Sequence, residues 1–193
     1  MTNTAIFGGT FNPFHNGHYQ MLQYVCELDF IDKVLVIPDK IPPHKKYDFL
    51  ASNIDRIEMC RLVCEDFCKA ELCLIEFERD GKSYTYDTLK LLKTKYTYNQ
   101  FFTIIGGDML ATLDTWYNWQ QLIKDTAFIA FNRDDLDDFE SNINRMKNLG
   151  AEIIIANKTV ISVSSTELRN NLNQDLLPEK VYNYIKSKGI YNE

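Results

Sequence analysis

The sequence predicts an α/β domain built on a doubly wound parallel sheet with helices at its carboxyl end. Three observations carry that expectation. Short β-rich runs alternate with helix-period runs, the order that a parallel sheet with helices on both faces requires. The strand runs are continuously apolar (VLVI, FFTII, AFIAF, EIIIA), as strands buried on both faces are. Punctuation falls between the runs: Gly150 stands where a helix would end and Pro178 where the last one would open.

Taken in order, Ala5–Gly8 reads as the first strand, closed by Gly8 and Gly9, where the backbone is expected to turn. Met21, Leu22, Val25 and Leu28 then recur at helix spacing, which places a helix over Gly17–Glu27. Lys33–Ile37 is the second strand. Pro38 to Asn53 is irregular, and loops of that length are usually functional or mobile. Asp55–Lys69 reads as a helix carrying Cys60, Cys64 and Cys68 at every fourth residue. Beside Met59, Leu62, Val63 and Phe67, these cysteines read as small apolar residues on one helix face. The CxxxCxxC spacing of a radical-type cluster is not met.

Leu72–Glu78 is the third strand, Tyr86–Lys95 a helix and Phe101–Ile105 the fourth strand. Short helices follow at Met109–Leu113 and Trp119–Lys124, then the fifth strand at Ala127–Phe131. A helix over Leu136–Leu149 leads to the sixth strand, Glu152–Ala156, and Thr166–Asn173 and Glu179–Ser187 complete the chain. Val181, Tyr182 and Ile185 in the last helix face either the core or a second copy, so a homo-oligomer stays open. No repeat, low-complexity tract or linker interrupts this order, which makes residues 1–193 one domain.

Composition narrows the function classes. With 45% hydrophobic and 25% charged residues, the chain has globular proportions. No apolar run approaches the ~20 residues of a membrane span, and no leader-like segment precedes the first strand. A net charge of -6 argues against nucleic-acid binding. Five cysteines, an odd number, fit reduced thiols and a cytoplasmic location.

Three segments carry candidate chemistry. GGTFNPFHNGH, residues 8–18, joins a strand end to a helix start and holds Gly8, Gly9, Thr10, Phe11, His15 and His18. Unpaired first-turn amides and the positive end of the helix dipole make such a junction an anion site. The two imidazoles, three residues apart, fall on one side of that turn. Pro42-Pro43-His44-Lys45-Lys46 follows the second strand, and its prolines stiffen a loop that projects His44 and Lys45. Val163-Ser164-Ser165-Thr166-Glu167-Leu168-Arg169 reads as a helix capped by Ser164 or Ser165. Arg169, one turn in, is expected to reach back toward the helix-start amides, completing a polyphosphate cradle of hydroxyls, amides and a guanidinium.

Two further segments lie past strand ends. In Gly106-Gly107-Asp108-Met109, Asp108 is a hydroxyl or ammonium partner, a helix cap, or both. Trp116, Tyr117 and Trp119 read as a ligand surface, or as core or interface aromatics. Gly81-Lys82-Ser83 looks like the end of a phosphate-binding P-loop, but Glu76 stands where that motif needs its first glycine.

GGTFNPFHNGH resembles the HxGH signature of the nucleotidylyltransferase superfamily, and most of all the nicotinate-nucleotide adenylyltransferases. PPHK is similar to that family's loop, VSSTELR to its ISSTEIR motif, GGDM to its GxDxL segment and LDTWYNW to its LxxWxxW segment. The resemblance implies the Rossmann-like nucleotidylyltransferase fold. It also implies adenylyl transfer from ATP to nicotinate mononucleotide, giving nicotinate adenine dinucleotide and pyrophosphate. His15, His18, Lys45 and Arg169 would then be catalytic, with His18 the more central histidine. Gly8, Gly9, Thr10, Phe11, Gly106, Asp108, Ser164, Ser165 and Thr166 would bind ATP. Trp116 would stack on the pyridine ring, while backbone groups near Thr85 and Tyr117 hold the nicotinate carboxylate.

Arg133 matches a family arginine, although Asp134 and Asp135 follow it where the family has Pro-Gly. Mg²⁺ would accompany ATP, held by phosphate oxygens and water rather than by protein side chains. ATP and nicotinate mononucleotide are the implied partners, without nucleic acid or membrane. Two alternatives stay open: a nicotinamide mononucleotide or phosphopantetheine acceptor, and a non-catalytic nucleotide sensor on the same fold.

Overall fold

The computed structural model describes residues 2–42, 51–132 and 138–191. Its strands are β1 (Thr2–Gly9), β2 (Lys33–Pro38), β3 (Ala70–Leu72), β4 (Asn99–Gly106), β5 (Ala127–Phe131) and β6 (Ile153–Ile155). Its helices are α1 (Asn16–Glu27), α2 (Asn53–Cys64), α3 (Thr85–Lys95), α4 (Gly107–Ala111), α5 (Trp119–Asp125), α6 (Phe139–Asn148), α7 (Ser165–Asn170) and α8 (Glu179–Lys188).

The strands form one sheet in the order β3-β2-β1-β4-β5-β6, with every pairing parallel. The chain builds outward from β1 to β3, then crosses back to β4 on the other side of β1. Strand order therefore reverses between β1 and β4, and ligands in such sheets sit beyond the carboxyl ends at that point.

Side chains alternate across the sheet and feed two cores. Ala5 and Phe7 join Leu22 of α1, Met59 of α2, and Val181 and Ile185 of α8. Ile6 joins Leu89 of α3, Leu122 of α5 and Ile143 of α6. Val181 and Ile185 are fully buried within the chain, so they pack on its own core. β2 and β5 are buried along nearly their whole length, which is why they read as unbroken apolar runs.

Four local expectations need correction. The glycine pair makes no turn, because β1 runs through Gly9, whose register partner is Pro38 of β2. The turn comes after it, at Phe11, whose φ of 49° is left-handed.

The third strand is only Ala70–Leu72, and Ile75–Glu78 is a 3₁₀ turn. As an edge strand, β3 pairs with three residues of β2 and nothing beyond them. The turn then puts Glu76 within reach of Arg79, three residues on, so the buried carboxylate gains a partner that a strand would carry away.

α2 ends at Cys64, so Cys68 lies past the helix and is exposed, while Cys60 and Cys64 are buried. The GGDM helix starts at Gly107 with Gly106 as its cap, so Asp108 is a first-turn residue rather than the cap.

Candidate active site

The turn after β1 is built around buried aromatics. Phe11 and Phe14 stack with ring centroids 4.8 Å apart, and Phe7 meets both edge-on. That packing leaves the backbone of Thr10, Asn12 and His15 at the carboxyl edge of the sheet. Two guanidinium groups then hold its carbonyls. Arg56 of α2, fully buried, donates to Thr10 O at 2.8 Å and to Asp39 O at 2.6 Å. Arg169 of α7 donates to Asn12 O at 3.0 Å and to Thr166 Oγ1 at 3.0 Å. Arg169 thus reaches back to the start of α7, as its place one turn in suggested, and because a guanidinium carries only donors it also seats on the Asn12 carbonyl.

The two histidines cap α1 reciprocally. His15 is the N-cap; its Nδ1 accepts from His18 N at 3.3 Å, and His18 Nδ1 accepts from His15 N at 3.3 Å. The rings stack with centroids 3.6 Å apart and planes 18° from parallel. Two consequences follow. The amides of His15 and His18, expected to face an anion, are taken up by imidazole nitrogens. In exchange, an Nδ1 that accepts an amide proton leaves the proton of a neutral ring on Nε2, so each histidine offers Nε2–H as its donor. Glycine at position 17 protects this arrangement: a Cβ there would stand 2.9 Å from Ile161 O and 3.2 Å from the His15 ring.

These residues border one cavity of about 940 Å³ at the carboxyl ends of β1, β2 and β4. Gly8, Gly9, Thr10, Phe11, His15 and His18 line it from the β1 side. Gly106 and Asp108 line it from the end of β4, and Ser164, Ser165, Thr166 and Arg169 from α7. Thr85, Trp116 and Tyr117 complete the wall. At Gly8 an added Cβ would meet nothing within 4 Å, so the strand end opens directly into this space. Ser164 caps α7, accepting from Glu167 N at 3.2 Å. Thus the amino-terminal and carboxyl-terminal motifs, far apart in the chain, share one cavity. Lys45 and Arg133 lie outside the described residues, as do Pro43, His44, Lys46, Asp134 and Asp135.

The far end of the cavity is a paired-tyrosine wall. Tyr84 and Tyr117 lie with ring centroids 4.8 Å apart, bridging the segment before Thr85 to the segment after Trp116. Ser83, buried, accepts from Lys40 N at 3.0 Å and Ile41 N at 3.2 Å, pinning the root of the loop after β2 to this wall.

Beneath that root lie two acids that sequence reasoning missed. Glu76 takes Arg79 and the Thr88 hydroxyl as partners. Asp39 accepts from Thr10 Oγ1 at 3.2 Å and lines the cavity. Burial, reinforced by the neighbouring Glu76 charge, pushes the Asp39 carboxyl up from 3.8 to about 7, against the opposing pull of Thr10, Arg56 and Arg79.

Between those two values the folded chain holds a proton that the unfolded chain has lost. Stability therefore falls as pH rises through the window, and the penalty is complete above pH 7. Asp39→Asn, which keeps an oxygen for Thr10, is expected to stabilise the protein by on the order of 2 kcal/mol at pH 8 and much less at pH 4.5. Denaturant melts at the two pH values test this, and an equal gap at both would contradict it.

Asp39 was legible as an acid directly after an apolar strand. Arg56 was legible as the one charge on the α2 face that carries Met59, Cys60 and Val63. Neither position alone identified a partner. Among the described residues, no group of three or more His, Cys, Asp or Glu side chains is placed to hold a metal, and no helix is long and apolar enough to cross a membrane.

Comparison with known proteins adds the following. Residues 6–171 match the cytidylyltransferase-like family model. A probable nicotinate-nucleotide adenylyltransferase of Listeria innocua is 37% identical over 191 residues, 98% of this chain and 97% of that protein. The nicotinate-nucleotide adenylyltransferase of Bacillus subtilis is 34% identical over 196 residues, covering 99% of both chains. Among solved structures, Plasmodium falciparum nicotinic acid mononucleotide adenylyltransferase complexed with NaAD superposes with a TM-score of 0.81 over 100% of this chain and 98% of that one. At 22% identity, that likeness speaks to the fold alone.

Proposed function

The chain belongs to the nicotinate-nucleotide adenylyltransferases of the cytidylyltransferase-like family, and from that membership we propose that it transfers the adenylyl group of ATP to nicotinate mononucleotide. The products are nicotinate adenine dinucleotide and pyrophosphate, a step in NAD biosynthesis. The observation that carries this reading is the shared cavity: the stacked pair His15 and His18, each ring accepting at Nδ1 from the other's backbone amide, lines it together with Arg169 and the α7 hydroxyls.

The chemistry suits those residues. A phosphate oxygen of nicotinate mononucleotide attacks the α-phosphorus of ATP in line. The bond from that phosphorus to the bridging oxygen breaks, and pyrophosphate leaves with the electron pair. The attacking oxygen is already anionic, so no general base is required. What the protein supplies is orientation of two polyanions and donors aimed at the charge that grows during transfer.

His15 and His18 present Nε2–H to the α- and β-phosphate oxygens. Arg169 and the hydroxyls of Ser165 and Thr166 hold the leaving end. By the family resemblance of its PPHK string, Lys45 is assigned to the same phosphates. Gly8 and Gly9 leave room for the phosphates against the strand end, Thr10 and Phe11 shape the turn, and Gly106 and Asp108 contact the nucleotide. ATP enters as its Mg²⁺ chelate, a substrate form that relies on phosphate and water oxygens.

On the acceptor side, Trp116 stacks on the pyridine ring, the backbone at Thr85 and Tyr117 receives the carboxylate, and Arg133 meets the acceptor phosphate. A cytoplasmic setting is supported by the odd count of five cysteines.

The test is pyrophosphate release with ATP and Mg²⁺, offering nicotinate mononucleotide, nicotinamide mononucleotide or phosphopantetheine in turn. Turnover is expected with the nicotinate acceptor first; turnover confined to another acceptor, or none at all, would overturn the reading. Trp116→Ala is expected to raise KM for nicotinate mononucleotide by ~10- to 100-fold, the worth of one aromatic stacking surface. KM for ATP should move less than about threefold, and equal effects on both would remove Trp116 from the acceptor subsite.

A further inference from the structure

Beyond α8 the chain does something that neither the motifs nor the catalytic proposal uses. Gly189 turns it with a left-handed φ of 64°, and Ile190 packs into the core, its amide donating to Ile185 O at 3.1 Å. Tyr191 then adopts a left-handed φ of 62°, a conformation that a bulky residue takes only when its surroundings hold it there. Its hydroxyl donates to Asn12 Oδ1 at 2.6 Å. The same Oδ1 accepts Ala51 N at 3.1 Å, directly before the α2 cap Ser52, and the carbonyl of Asn12 accepts Arg169. One residue of the histidine turn is thus gripped by the carboxyl-terminal tail, by the segment entering α2 and by α7. Burial raises the Tyr191 phenol above its ordinary pKa, so the hydroxyl stays a donor at working pH.

We infer that Tyr191 is a positioning residue for the reaction: through Asn12 it fixes the turn that carries His15 and His18, and so makes the carboxyl-terminal tail part of the active site. The tyrosine touches no reacting atom in this scheme. It sets the spacing between the histidine turn and Arg169, on which in-line geometry depends. Small displacements there are expensive, because a misplacement of about 1 Å in a catalytic group can lower a rate ~100-fold.

The inference rests on the adenylyl-transfer reading, and Tyr191→Phe tests it while separating the two. The substitution removes only the hydroxyl. Tyr24→Phe is the control, because its hydroxyl accepts Asn157 N at 3.0 Å away from the cavity. Tyr191→Phe is expected to lower kcat about tenfold with KM for both substrates nearly unchanged, and Tyr24→Phe to leave kcat alone.

Imidazole ¹⁵N spectra of the substrate-free protein supply the second readout. Tyr191→Phe should shift the ring signals of His15 and His18, and Tyr24→Phe should not. Wild-type kcat together with unmoved imidazole signals in Tyr191→Phe would overturn the inference. A wild-type protein without turnover would overturn the reaction reading instead, and the imidazole comparison would still decide the role of Tyr191.

Discussion

His18→Ala is expected to lower kcat by ~10²–10³, the effect of removing one preorganised donor from developing negative charge. The structure says why the loss falls on kcat rather than on binding. His18 stands third in α1, its Nδ1 fixed by the amide of His15 and its ring stacked on the His15 ring. In the proposed reaction Nε2–H is the atom that meets phosphate, and the ring that carries it is oriented before substrate arrives. The substitution also removes half of the reciprocal cap, which costs on the order of 1 kcal/mol of stability. A slightly lower melting temperature should therefore accompany the kinetic loss. Steady-state kinetics beside a thermal melt check both parts; near-wild-type kcat would take His18 out of the mechanism.

Arg169→Lys should be nearly as damaging, with kcat/KM down by ~10² or more, although the charge is kept. Arg169 bonds Asn12 O and Thr166 Oγ1 from two different nitrogens of one rigid fork, while facing the cavity from the last turn of α7. An ammonium on a flexible stem cannot reproduce that fork. The loss should therefore combine weaker hold on the leaving pyrophosphate with a loosened histidine turn. If lysine restored most of the activity lost in Arg169→Ala, charge alone would suffice and the positioning part of this account would be wrong.

How much of this was legible in the sequence follows from how locally each feature is determined. β2, β4 and β5 are buried on both faces, and their apolar runs marked them to within a residue or two. β3 was misread because apolar residues continue past Leu72, and the sequence does not show that the strand stops there; β6, an edge strand of the same three pairs, has no such continuation and was read to within a residue. The apolar continuation of β3 packs as a 3₁₀ turn that serves Glu76. Spacing put His15 and His18 on one side of a helix start, but it does not say that each ring caps the other's backbone.

The two signature motifs could be identified from their residue strings, and they do border a common cavity. The groups that hold the histidine turn in place could not be identified that way. Arg56 reaches Thr10 across 46 residues and Tyr191 reaches Asn12 across 179, and no local period records such contacts. Charge balance was informative in the opposite sense. A net charge of -6 coexists with a cavity whose inner wall carries Arg169 and two histidines, because a small phosphorylated ligand responds to the local field.

The most direct measurement of the central claim is a crystal structure of the protein with nicotinate mononucleotide and an ATP analogue whose α,β-bridging oxygen is a methylene, so that transfer cannot occur. A single phosphate chain is expected to span the cavity, its α-phosphoryl oxygens on Nε2 of His15 and His18 and its far end on Arg169 and the α7 hydroxyls, with the acceptor phosphate in line opposite the methylene. A triphosphate that contacted α7 but not the imidazoles, or that lay outside this cavity, would contradict that claim.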